Sequence, residues 1–200
     1  MKLKSLGGSA KKSVLRRLAA LYGKMEQAYA DAAGSLGLSC DGCARNCCVS
    51  YFQHHTYLEW LYLFEGLNAL DEGTRTAFLD RARAYEEESR AALSRGETPS
   101  AMCPVNVDGR CGLYAHRLMI CRLHGVPNVL LTGGGVREFP GCWRSQELCA
   151  EKPGFTLMDR TPLYKELAAL EMELLGPKRG RLPRVDMTLA QMLLAGPPKL

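Results

Sequence analysis

Cys40-Asp41-Gly42-Cys43-Ala44-Arg45-Asn46-Cys47-Cys48 places four thiols in nine residues and ends on two that are adjacent. Cys40 and Cys43 have the two-residue spacing that lets both sulfurs reach one metal, because the intervening turn bends the chain back and Gly42 relieves its steric cost. Cys47 follows after three residues. Soft centres such as zinc, ferrous iron or an iron–sulfur cluster favour thiolate ligands, and the metal neutralises charge that would otherwise be costly to bury. Successive side chains usually diverge, so adjacent thiolates chelate one tetrahedral ion poorly. Cys47 and Cys48 are therefore expected to serve different centres or a shared edge. Cys103, Cys111, Cys121, Cys142 and Cys149 lie far along the chain. They are the expected source of the remaining ligands, in a site that folds the chain around itself.

The rest of the composition suits such a site. At 200 residues, with 46% hydrophobic and 24% charged, the chain is expected to form one globular domain over residues 1–200, with the cysteine-cluster region at 40–142 inside it. The first residues, Met1 to Ser9, contain no apolar signal region, and no apolar run approaches the length that crosses a bilayer. The expected location is cytoplasmic, with no membrane partner. Cytosolic reductants keep thiols reduced, so nine cysteines, an odd count, read there as metal ligands rather than disulfides. The formal charge of +5 is modest, and a site of four thiolates around a divalent ion carries about −2. The charge balance therefore gives no argument for nucleic acid.

The expected fold is mostly α, with helices framing an irregular cysteine-rich centre and at most one short β-hairpin. Leu15, Leu18, Tyr22, Met25, Tyr29, Ala32 and Leu36 share one face of a first helix over Val14 to Leu36, ended by Gly34 and Gly37. Its Lys11, Lys12, Arg16, Arg17 and Lys24 lie largely off that face, as a solvated surface. A second helix spans Tyr57 to Leu70. A third follows Asp71 and Glu72, burying Phe78, Ala82, Tyr85, Ser89 and Ala92, with Glu86 and Arg90 paired on its exposed side. Between Ala101 and Ser145 turns dominate, including Asp108-Gly109, and Val129–Leu131 with Val136–Phe139 form the one expected strand pair. Thr161-Pro162 caps a helix that ends at Gly176-Pro177, and Thr188 with Gln191 makes a capping box for the last. The run Gly133-Gly134-Gly135 is no phosphate loop, because no Gly-Lys-Ser/Thr follows it. The clustered thiols do not suit a cysteine protease.

The second cysteine group reads Cys103-Pro104, Cys111, Tyr114, Arg117, Cys121-Arg122 and Cys142. In order with the first group, this set resembles the YkgJ-type cysteine-cluster (CxxCxxCC) family, described as a zinc- or iron-chelating domain. Leu118 departs from the family's pattern, which has proline after the arginine. A proline there would fix the turn but supply no ligand. Cys149 lies outside the pattern. The resemblance implies metal or cluster binding, with Cys40, Cys43, Cys47, Cys48, Cys103, Cys111, Cys121 and Cys142 as the metal ligands. Some relatives are described as flagellin lysine N-methylases, but no glycine-rich adenosyl-methionine loop after a strand is found here.

The expected cofactor is an iron–sulfur cluster, with zinc the alternative, since both accept four thiolates. Eight cysteines admit two four-ligand centres. Arg117 and Arg122 bracket Cys121, where fixed positive charge would stabilise a bound cluster. His54, His55, His116 and His124 lie near cysteines in the sequence and are further candidates to ligate or to support ligands. Electron transfer or metal handling follows, with metal ions and a protein redox partner as the implied partners. Whether the chain is an enzyme stays open. A cluster-dependent enzyme would show an open ligand position and a cleft near His124 and Arg122, and a structural zinc module would present the basic first helix to a partner.

Overall fold

The computed structural model describes residues 8–41, 43, 45–152 and 154–200, so Gly42, with its expected role in the first turn, lies outside the described residues. In chain order come α1 (Gly8–Leu36), α2 (Tyr57–Asn68), α3 (Glu72–Ser94), β1 (Asn106–Val107), β2 (Arg110–Cys111) and α4 (Met119–Leu123). They are followed by β3 (Asn128–Thr132), β4 (Gly135–Phe139), α5 (Trp143–Glu151), β5 (Met158–Asp159), α6 (Thr161–Leu175) and α7 (Leu189–Ala195). Seven α-helices and five short strands among the described residues make the fold mostly α with a minor β part. None of these helices is long and apolar enough to cross a membrane.

Packing divides the chain into two compact units, where the sequence suggests one domain. The first is built from the chain up to Arg45 together with Met119–Arg179, the second from Asn46–Leu118 together with Gly180–Leu200.

The first unit is organised on α1, whose stripe of Leu15, Leu18, Tyr22, Met25, Ala32 and Leu36 is buried, widened by Val14 and Leu21. Gly34 continues the helix and Gly37 ends it. At φ +72° Gly37 takes the left-handed conformation, and Leu38 N–H donates to Ala33 C=O at 2.8 Å while Gly37 N–H donates to Gly34 C=O at 3.2 Å. Beside α1 runs α6; Arg17 pairs with Glu173, and Lys24 pairs with Glu166 at 2.8 Å. Part of the basic face thus meets acidic residues of the same unit. The first turn of α6 differs from expectation: its cap position is Arg160, and the Thr161 hydroxyl accepts Leu131 N–H at 2.8 Å instead. The sheet order is β4-β3-β5, with β3 and β4 antiparallel from Asn128 opposite Phe139 to Thr132 opposite Gly135, and β5 parallel to β3.

In the second unit α2 is capped by Thr56 and α3 by Asp71, each accepting a backbone N–H from the first turn. Phe78, Ala82, Tyr85, Ser89 and Ala92 are the buried residues of α3, as its periodicity requires. Glu86 instead joins α3 to α7, accepting from Thr188 Oγ1 at 2.8 Å and Gln191 Nε2 at 3.0 Å. Both bonds of the Thr188–Gln191 capping box are present. Asn106–Val107 and Arg110–Cys111 form a second, unexpected hairpin around Asp108 (φ +49°) and Gly109 (φ +83°). Two positive φ values are what a two-residue hairpin loop with the right twist demands.

Candidate metal centre

All nine cysteines carry free thiols, and Cys40, Cys43 and Cys47 are exposed while the others are partly buried. The unit boundary falls inside the opening motif, between Arg45 and Asn46. Cys40, Cys43, Cys121, Cys142 and Cys149 belong to the first unit, and Cys47, Cys48, Cys103 and Cys111 to the second.

In the second unit Asn46 sets the local geometry. Its side-chain oxygen accepts Cys48 N–H at 2.9 Å, capping a 3₁₀ turn over Cys47–Val49, and its side-chain nitrogen donates to Gly109 C=O at 3.0 Å. The motif is thereby tied to the β1–β2 turn. In a 3₁₀ turn successive side chains stand about 120° apart rather than on opposite faces. The Cys47 thiol accordingly hydrogen-bonds the Cys48 sulfur, so these adjacent residues do not diverge as an extended chain would have them. That bond, joined by Asn106 and by the charge of Arg117, outweighs burial and pulls the Cys48 thiol down to about 6. Cys103 N–H donates to Cys48 C=O at 2.9 Å, and Cys111 sits on β2 opposite Asn106. Burial pushes the Cys103 thiol up to about 12, with the nearby sulfurs of Cys48 and Cys111 adding to the effect and the charge of Arg81 opposing it. Arg81 also donates to Pro104 C=O at 2.7 Å. The Asn106 side-chain nitrogen is buried without a conventional acceptor and stands beside the Cys48 sulfur.

In the first unit the joining residue is Gly125. Its carbonyl accepts Cys142 N–H at 3.1 Å, and it lies four residues beyond Cys121, in the bend that follows α4 at φ +136°. A Cβ at Gly125 would stand 2.4 Å from the Tyr29 hydroxyl, which itself lies 3.9 Å from the Cys40 sulfur. Gly141, at φ +79°, packs equally closely on the Gly125 carbonyl. Cys43 N–H closes a turn onto Cys40 C=O at 3.3 Å, and the Cys43 thiol donates to Arg45 C=O at 3.2 Å. The Arg45 guanidinium lies 5.2 Å from the ring centre of Trp143, the residue after Cys142. Cys149 lies on α5.

The two arginines that bracket Cys121 in sequence fall in different units. Arg117 stacks on Tyr114 and its charge favours the Cys48 thiolate. Arg122 is buried, paired with Glu26 and 4.1 Å over the Tyr22 ring, where it serves α1–α4 packing. His54 is buried, its backbone paired with Met187, and burial lowers its pKa to about 3. His55 faces Asp186 at 3.3 Å, and His116 packs on Tyr62 with ring centres 4.6 Å apart. Burial lowers the pKa of His124.

Among the described residues no three His, Cys, Asp or Glu side chains already surround a common point. The donor chemistry nevertheless suits a soft ion: both groups are made of thiols, and in the second a buried N–H stands ready for a sulfur acceptor. Asn46, Asn106, Tyr29 and Gly125 were not singled out by the spacing of the cysteines. The Asn46-Cys47 junction, an Asx cap directly before a turn, is the one signal that could have marked any of them. No family model, curated protein or solved structure matches this chain.

Proposed function

We propose that the protein is a YkgJ-like metal-binding protein of the cytoplasm, holding iron as an iron–sulfur cluster, or zinc, through its eight motif cysteines. Its work would be electron transfer to a protein partner, or metal handling. The observation that supports this reading is the Cys48–Cys103 pairing: residues 55 positions apart are joined by a 2.9 Å backbone bond, so a cysteine of each sequence group lies at one place in the fold. Unliganded thiolates repel one another, and a bound cation turns that repulsion into attraction. Binding would draw the thiols inward around the ion and release protons, above all from Cys103.

Metal analysis and absorption spectroscopy on anaerobically purified protein test the reading. Broad visible absorption that bleaches on reduction identifies an iron–sulfur cluster, and a colourless protein with stoichiometric zinc identifies the alternative. A folded protein that stays metal-free after incubation with zinc, and with ferrous iron and sulfide, refutes both.

A further inference from the structure

We infer that the eight thiols form two separate four-cysteine centres, one inside each compact unit, and that the opening motif is divided between them at Arg45–Asn46. This rests on the metal-binding reading above and adds which cysteines share an ion. Cys40, Cys43, Cys121 and Cys142 make the first centre, and Cys47, Cys48, Cys103 and Cys111 the second.

Four is the ligand number of a closed thiolate site, and the unit boundary deals the eight motif cysteines out four and four. Each set has its own internal tether. The second is held by the Cys103–Cys48 backbone bond and by Asn46, which grips both Cys48 and the turn leading to Cys111. The first converges on Gly125, which binds the Cys142 N–H, lies against the Tyr29 hydroxyl that reaches Cys40, and stands in the bend just after the helix that carries Cys121. The strongest objection from sequence, that adjacent cysteines cannot serve one ion, is removed by the 3₁₀ turn, because Cys47 and Cys48 already meet through their sulfurs. Each set also has its own cation: Arg45 beside Trp143 in the first unit, and Arg117 beside Cys48 in the second.

The test compares metal per chain in the wild type, Cys121→Ser/Cys142→Ser, Cys103→Ser/Cys111→Ser and the fourfold variant, all purified anaerobically with folding checked by circular dichroism. Each double variant should keep about half of the wild-type metal, and the fourfold variant none. If either folded double variant loses all metal, the eight thiols share one centre and the division is wrong. If either loses none, that set is not a centre. A wild-type protein without metal would instead refute the reading beneath. Should a variant not fold, graded chelation of wild-type protein with alkylation and mass mapping reads the same grouping: thiols of one set should become reactive together, and release of all eight in concert overturns the division.

Discussion

At the scale of single residues, His54 shows how burial overrides proximity. It follows Cys48 by six positions, yet the fold encloses it and lowers its pKa from 6.5 to about 3, so it is neutral when folded. Because the unfolded imidazole takes up protons that the folded one refuses, its contribution to stability is complete above pH 6.5 and declines as pH falls towards 3. Between pH 6.5 and 5 the loss should be on the order of 2 kcal/mol. Urea unfolding at several pH values should show this slope in wild type and a flatter one in His54→Gln; parallel slopes would refute it. Gly125 makes a related point. Its need for φ +136° and for bare backbone against Tyr29 depends on partners from α1 and the Gly141 turn, which its own sequence neighbourhood does not announce.

At the scale of elements, legibility followed length. The periodic stripes of α1 and α3 select the residues that are buried, apart from Tyr29 of α1, which is half-buried, because a long helix must hide one face whatever it packs against. Helix α4, of five residues, lies inside the turn-rich stretch Ala101–Ser145, among cysteines, prolines and glycines where no period can accumulate, and α5, of nine, begins at the end of that stretch and has no periodicity that announces it. Strand β5 has two residues and exists because Met158 N–H finds Pro127 C=O at 3.1 Å and Arg160 N–H finds Val129 C=O at 3.0 Å. Helical spacing points Glu86 at Arg90, but the hydroxyl and amide at the start of α7 offer it better-placed donors. Glu86→Ala should therefore weaken the α3–α7 junction by about 1–3 kcal/mol, read as a lower urea midpoint with an unchanged slope. Arg90→Ala should leave the midpoint nearly unaltered.

At the scale of the whole molecule, the division at Arg45–Asn46 was not legible, since a motif of nine residues reads naturally as one ligand loop. On the proposed reading, metal should add to stability by mass action, because the folded chain would hold together thiols that the unfolded chain scatters. Stripping metal with a chelator under reducing conditions should lower the unfolding free energy by roughly 3 kcal/mol or more per centre, if metal had been present at about a hundred times its dissociation constant. An unchanged thermal midpoint after verified metal removal would show that the fold does not depend on the ion.

The uneven exposure of the thiols bears on handling. Cys40, Cys43 and Cys47 stand open to solvent, and Cys40 and Cys43 are already turned onto one another through their backbone. Air or peroxide would convert exposed thiolates to sulfenic acid and then to a disulfide, and closing Cys40 onto Cys43 removes two sulfurs from one set at a stroke. Of the other set only Cys47 is as accessible. If the proposed centres form, an aerobically prepared sample should therefore lose metal in stages, with the Cys40–Cys43 pair blocked first in peptide mapping. Its residual metal would then record how much oxygen the preparation had met.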